Sequence, residues 1–422
     1  MRTFSEFTTL QVGGPIKSFV QVHGPNALAE AVLEADSAGL DMLVLGGGSN
    51  LLAADSLFDG VVIQDTSSEQ RTQSHAQGML VSASAGFLWD ELVQYTVDEG
   101  LSGIEALSGI PGTAGAAPVQ NIGAYGQEVG DCLQSVTVWD RALGRIRELS
   151  HAQLQLTYRH SVLKASRAWL RPAPATSPSH QRTPEGQDHA PAWGFSGRFI
   201  VLEIHLLLSK DGLSAPLRFG PLASALGFTG SDNAEGDTRA PLADVRAAVL
   251  ELRRSKGMVL DATDRDTYSA GSFFMNPILQ VGSPEERALP PEAPRYPVVP
   301  TPEAKDPDQL GVHSTTQPLS PVGGQPQGQG PIPATAVDTG SPSAIKTSAA
   351  WLIDHAGMPK GWAAPGSNGK ATLSTKHVLA LTNRGGATAE DIAHLARTVR
   401  ANVQTRYRIT LNPEPVTLGL TL

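Results

Sequence analysis

Gly46, Gly47 and Gly48 stand in a row behind a short apolar run, 42–45, and are followed by Ser49 and Asn50. Glycines placed directly after a strand let the backbone turn through positive φ and bring bare N–H groups against an oxyanion. Ser49 and Asn50 add side-chain donors, so the segment suits a phosphate, although a plain surface turn has the same composition. A second stretch is more telling. Residues 109–126 contain five glycines, two prolines and four alanines, no charged side chain, and Gln120 and Asn121 near the middle. Side chains this small do not fill an ordinary core, and ordering so many glycines is costly in chain entropy. The stretch suits a backbone wrapped around a large flat ligand and offering it N–H and C=O groups.

Other sites of chemistry are excluded by spacing. The dinucleotide pattern G-x-G-x-x-G begins at Gly46 and Gly48 but meets Leu51 where the last glycine belongs. A phosphate loop around Gly369 and Lys370 fails at Ala364 and Ala371. No G-x-S-x-G elbow occurs. Asp261, Asp264 and Asp266 lack calcium-loop spacing and read as a solvated loop, so no metal is expected. The single Cys132 excludes a disulfide framework and a cysteine-based zinc site, and fits a reducing compartment.

Five further segments join the two glycine-rich ones. They are Thr9-Leu10-Gln11-Val12-Gly13-Gly14-Pro15, Tyr158-Arg159-His160-Ser161, Gly271-Ser272-Phe273-Phe274-Met275-Asn276-Pro277, Ala349-Ala350-Trp351-Leu352-Ile353-Asp354 and Leu411-Asn412-Pro413-Glu414. In this order the seven resemble the MurB family of UDP-N-acetylenolpyruvoylglucosamine reductases, within the vanillyl-alcohol-oxidase-like (PCMH-type) FAD proteins. The two glycine-rich segments resemble that superfamily's flavin-binding elements. The resemblance spans nearly the whole chain outside two proline-rich stretches. Its most specific parts are the 109–126 segment and the G-S-F-F-x-N-P run.

The resemblance implies FAD as cofactor, NADPH as hydride donor, and reduction of an enolpyruvyl ether on a nucleotide sugar. The product is UDP-N-acetylmuramate, a peptidoglycan precursor. It places FAD contacts on Gly46, Gly47, Gly48, Ser49, Asn50, Gly109, Ile110, Pro111, Gly112, Gly115, Ala116, Gln120, Asn121, Ile122, Gly123, Ala124 and Tyr125. No His or Cys lies in 46–50, so the FAD is expected to be noncovalent. By the same resemblance Arg159 holds the substrate carboxylate and stabilises the enolate, a bidentate task that Lys performs poorly. Ser272 protonates the carbon, and Glu414 assists as a neutral acid donating a hydrogen bond. Each of the three alone reads more plainly as a surface ion-pair partner, a turn residue and a strand end; only their co-occurrence changes that.

Tyr158, Phe219, Lys256 and Asn276 match substrate-contacting positions. Lys256 ends Arg253-Arg254-Ser255-Lys256, which also reads as cations on a helix C-terminus. Phe219 keeps the ring of a Tyr common in the longer subfamily but loses its hydroxyl. Met275 stands for a frequent Lys, Asn412 for a commoner Glu, and His377 occupies a position near substrate with no assigned role. An oxidase of the same superfamily, or a nucleotide-sugar-binding regulator, are the competing readings.

These residues must be brought together by an α+β chain. Helices are expected over 26–38, 88–99, 242–256, 349–355 and 389–406. Strands are expected over 42–45, 60–63, 79–85, 198–208, 378–381 and 407–411, with a hairpin from 136–139 to 145–149. The expected division is a first FAD-binding subdomain, 1–66, and a second, 67–235, with a proline-rich insert at 171–191. A C-terminal α+β substrate-binding domain, 236–416, and a tail, 417–422, follow. Residues 284–343 hold 14 Pro and 6 Gly in 60, above the range of about 25–30% at which aperiodic sequence reads as disordered, so they are expected to be a disordered insert. Loop-closure entropy grows only logarithmically, so a domain tolerates such an insert.

Among 422 residues, 32 Lys+Arg against 41 Asp+Glu give a net charge of −9, which argues against nucleic acid or an anionic membrane as the main partner. The most apolar run, 200–208, is far short of the ~20 residues a span needs, and the first residues lack a signal pattern. A cytoplasmic monomer acting on a nucleotide-sugar substrate is expected.

Overall fold

The computed structural model describes residues 1–169, 193–228, 238–298, 304–310 and 343–422; the insert expected at 171–191 lies outside them, as do residues 299–303 and 311–342 of the insert expected at 284–343. The first apolar runs form β1 (Ile16–Val22), α1 (Pro25–Ser37), β2 (Met42–Val44), β3 (Leu51–Ala53) and β4 (Phe58–Asp65). Strands β1, β4 and β2 make a parallel sheet in that order. Pro25 opens α1, where a missing N–H costs nothing. Leu28, Ala29, Val32 and Ala35 give the helix one apolar face, which packs on Met42, Val61 and Ile63 and on Trp139, Ile200 and Leu202 of the next region.

That next region holds β5 (Gln70–His75), β6 (Gly78–Ser84), α2 (Trp89–Asp98), the short pair β7 (Gly123–Ala124) and β8 (Gln127–Glu128), β9 (Leu133–Asp140) and β10 (Arg145–Ser150). It continues with α3 (His151–Leu154), α4 (Val162–Ala165), β11 (Phe199–Leu208) and α5 (Gly220–Ala225). An antiparallel sheet runs β10-β9-β11-β6-β5, with the long apolar β11 at its centre as its composition requires. The expected hairpin is β9–β10, turned at Gly144 with φ +59°.

The third region contains α6 (Leu242–Arg254), β12 (Ile278–Gln280), α7 (Pro284–Arg287), β13 (Tyr296–Val298), β14 (Ala344–Lys346) and α8 (Ala349–His355). It ends with β15 (Ala371–Leu373), β16 (Leu381–Asn383), α9 (Ala389–Tyr407) and β17 (Val416–Leu418). Helix α9 starts in a reciprocal cap between Thr388 and Asp391. Asp55 of the first region accepts from the N–H groups of Ala389 and Glu390, which ties the two regions together. Helix α6 packs Val245 and Val249 on Ala106, Leu217 and Leu222, and Arg246 pairs with Asp90 of α2. The secondary structure mixes parallel and antiparallel sheets with helices, as the α+β expectation requires.

The structure departs from the sequence reading at five places. Residues 284–298 and 304–310, expected to be disordered, contain α7, β13 and a tight turn at Pro307–Gln309; β13 pairs with β14 in a sheet ordered β12-β14-β13. Charge fixes the 304–310 piece: Asp306 and Asp308 pair with Arg198, and Asp308 with Arg147, around the fully buried Asp140. The strand expected at 378–381 begins only at Leu381. No strand forms at 407–411, because α9 continues through Tyr407 and closes on Arg408 in the left-handed region, φ +60°. The expected tail begins inside β17, which pairs in parallel with β3. Asp266 is buried rather than solvated, since Thr375 and Arg384 supply its donors.

Candidate active site

A cavity of about 630 Å³ opens where the three regions meet. One wall is the pair of glycine-rich segments. Gly47 lies so close to Gly112 that a Cβ on it would sit 2.7 Å from the Gly112 Cα, and a Cβ on Gly48, at φ +61°, would sit 1.9 Å from the Phe7 carbonyl oxygen. Glycine at these positions is what lets the two loops touch. The backbone N–H groups of Gly46, Gly47, Gly48, Ser49 and Asn50 donate to no acceptor among the described residues. The Ser49 hydroxyl donates to the Pro111 carbonyl and the Asn50 amide to Gln120 Oε1, so these two side chains hold the loops together instead of reaching out as donors.

A second part of the lining, in contact with the first, is built from side chains far apart in sequence. Arg159 has φ +54° on a tight loop, closed by Lys164 Nζ donating to its carbonyl. Its Nη1 and Nη2 donate to the carbonyls of Asn121 and Gly123, so the glycine-rich segment aims the guanidinium. Its Nε lies 2.8 Å from Glu414 Oε1, but the N–H is not directed at that oxygen, which makes the contact an ion pair without an aligned hydrogen bond. Gln120 Nε2 donates to the same Oε1 at 3.1 Å. A chain of amides thus runs from Asn50 through Gln120 to Glu414. In this arrangement Glu414 accepts through Oε1. Ser272 comes to the same wall because the segment after it runs beside the last loop: Glu414 N donates to the Phe273 carbonyl, and Met275 N to that of Asn412.

A third group gathers at Tyr125. Phe219 meets its ring edge-on at 5.5 Å, and Lys256 Nζ lies 5.8 Å above it. Burial, then the neighbouring Arg253, lowers the Lys256 pKa; burial also lowers that of Arg253, whose Nε has no partner. His377 lines the same space, and burial with Lys256 and Lys360 nearby pushes its pKa down to about 4, so it is neutral near pH 7. Although the chain is acidic, the cavity is lined by four cations, Arg159, Arg167, Arg253 and Lys256, against two carboxylates, Asp65 and Glu414.

Of the residues expected to contact ligands, most line this cavity, including Ile110, Pro111, Gly115, Ala116, Ile122 and Ala124. Gly109, Asn121 and Tyr158 do not. Gly109 donates to Asp90. Asn121, left-handed at φ +42° and buried, donates to Glu128 and the Thr157 carbonyl and accepts from Gly130. Tyr158 lies between the cations of Arg159 and Lys346. Asn276 lines the cavity while its Oδ1 accepts from the first N–H of α8. Arg167 was missed; no motif surrounds it, and only its place in the fold marks it.

The apolar and glycine wall, five free amides in a row and the excess of cations fit a large flat ligand carrying phosphates, as FAD does, and pockets of this size hold ligands of that class. Fold and cavity together define a flavin-binding oxidoreductase in two parts. Residues 16–150 match the FAD binding domain family, and residues 263–418 the C-terminal domain of UDP-N-acetylenolpyruvoylglucosamine reductase. A UDP-N-acetylenolpyruvoylglucosamine reductase from Thermobifida fusca is 43% identical over 419 residues, covering 99% of this chain and 97% of its own. One from Saccharopolyspora erythraea is 42% identical over 417 residues, covering 99% and 94%. The chain belongs to the MurB family of UDP-N-acetylenolpyruvoylglucosamine reductases. The crystal structure of the Thermus caldophilus member shares the fold, with a TM-score of 0.53 at 21% identity over 99% of this chain and 97% of that one.

Proposed function

We propose that the protein reduces the enolpyruvyl ether of UDP-N-acetylglucosamine-enolpyruvate to UDP-N-acetylmuramate, using noncovalent FAD and NADPH. We place it in peptidoglycan precursor synthesis as a cytoplasmic monomer. One observation carries the reading: Arg159, Glu414 and Ser272 line one cavity together with the glycine cradle. FAD, when bound, supplies the hydride transfer that side chains do not perform.

The residues answer the needs of the substrate. Hydride arriving at the methylene carbon leaves negative charge on the next carbon, which spreads into the carboxylate as an enolate. Arg159, steadied by two backbone carbonyls, presents a fixed planar cation to that charge. The Ser272 hydroxyl gives the proton to the carbon; as a weak acid it serves only a strongly basic carbon beside positive charge. Glu414 orients Arg159 and Gln120. Lys256 and Arg253, both desolvated, suit the diphosphate of the nucleotide.

An anaerobic experiment in two steps tests this. NADPH should bleach the flavin absorbance, and the enolpyruvyl nucleotide should restore it. Ser272→Ala should bleach at the wild-type rate and recover far more slowly. Equal slowing of both steps would overturn the proton-donor role. Protein left colourless after reconstitution with FAD would end the flavin reading, and recovery as fast with oxygen as with the nucleotide would point to an oxidase.

A further inference from the structure

Among the cations lining the cavity, Arg167 stands apart. Arg159 has Glu414 and two carbonyls; Arg253 donates to the Met258 carbonyl; Lys256 lies over Tyr125. Arg167 makes no hydrogen bond or ion pair among the described residues, and its Nε is buried without a partner. Of the two acids lining the cavity, Glu414 faces Arg159, and Asp65 is already occupied by the N–H groups of Gly24, Ser67 and Gly86 and the Ser67 hydroxyl. Arg167 is half-buried and lines the cavity, and burial draws its pKa down to about 10.

Its position says what it awaits. The stem packs on Gly197, where an added Cβ would lie 3.3 Å from Arg167 Cγ. The neighbouring Ser196 hydroxyl accepts from the N–H of Val44, the last residue of β2. The free amides of Gly46 to Asn50 begin two residues beyond. An unpaired guanidinium and a row of unpaired N–H groups therefore line the same cavity, where the first two regions meet. Donors of both kinds converge where a multiply charged oxyanion is needed.

We propose that Arg167 is the counter-charge for the diphosphate of FAD. This rests on the flavin reading above. A desolvated cation without a partner destabilises the empty protein, and an anion that pairs with it removes that penalty. Arg167 therefore links cofactor binding to stability in a way a structural arginine does not.

The test compares wild type, Arg167→Met and Arg167→Lys, each stripped of cofactor, by flavin-fluorescence titration and thermal unfolding. FAD should bind Arg167→Met at least tenfold more weakly than wild type, with Arg167→Lys between them. Riboflavin, which has no phosphate, should bind all three alike. The melting temperature of apo Arg167→Met should equal or exceed that of wild-type apoprotein, while the rise on adding FAD shrinks. Unchanged FAD affinity, an equal loss for riboflavin, or an apo Arg167→Met that melts lower or does not fold would each overturn the assignment. Failure of the wild type to bind FAD would instead remove the flavin reading itself.

Discussion

The two walls of the cavity are made by different means. The cradle comes from two stretches of the N-terminal half, and it works through backbone: close approach at Gly47 and Gly112, and free N–H groups at 46–50. The adjoining side-chain lining takes Arg159, Lys256, Ser272, His377 and Glu414 from five separate segments. It works through side chains, each held by something else. Carbonyls of the cradle hold Arg159, the amide of Gln120 holds Glu414, and strand-like pairing of two loops brings Ser272 alongside. Damage to the cradle should therefore appear as lost cofactor, and damage to the side-chain lining as lost turnover with the cofactor in place.

The largest effect expected is on the side-chain wall. Arg159→Lys keeps the charge but loses the planar fork that two carbonyls and Glu414 share. Removing one such electrostatic contact typically costs ~10²–10³ in rate, roughly 2.7–4 kcal/mol. Steady-state turnover should fall by that order while the flavin absorbance per protein stays at the wild-type value. A variant that lost flavin in proportion to activity would erase the distinction between the walls.

Next comes the cradle. In Gly47→Ala the new methyl meets Gly112 backbone, which has no side chain to swing aside. Overpacking of this kind costs about 1–3 kcal/mol, and if it falls on the cofactor-bound form FAD affinity drops by roughly 5- to 150-fold. Fluorescence titration of the stripped protein measures it. With saturating FAD, turnover should return to within a few-fold of wild type, which no substitution at Arg159 or Ser272 should allow.

This division also explains what was legible in the sequence. Glycine where backbones must touch is chemically distinctive, so 109–126 pointed to a ligand by composition alone, whereas 46–50 taken alone also read as a surface turn. An Arg, a Ser and a Glu are each common, and only the family resemblance singled out Arg159, Ser272 and Glu414. Arg167 had no such frame. The structure at 284–298 and 304–310 was hidden for a related reason: composition weighs these residues by their prolines, whereas Asp306 and Asp308 are held by Arg147 and Arg198, more than a hundred residues away. Likewise Asp266 looked solvated until Arg384 and Thr375 came to it through the fold.

The smallest effect concerns neither flavin nor turnover near neutral pH. His377 has its pKa lowered to about 4 by burial and by Lys256 and Lys360, against 6.5 for the free side chain. As pH falls from 6.5 towards 4, the unfolded chain takes up a proton that the folded cavity refuses, so stability decreases through that window. The slope from one such group is at most about 1.4 kcal/mol per pH unit. His377→Gln removes the group, and its unfolding midpoint should fall less steeply than that of wild type between pH 6.5 and 4, with equal slopes above pH 7. FAD affinity should not change, because the residue belongs to the side-chain wall. Parallel acid limbs for the two proteins would mean that His377 is solvated and that this part of the side-chain lining is open to water.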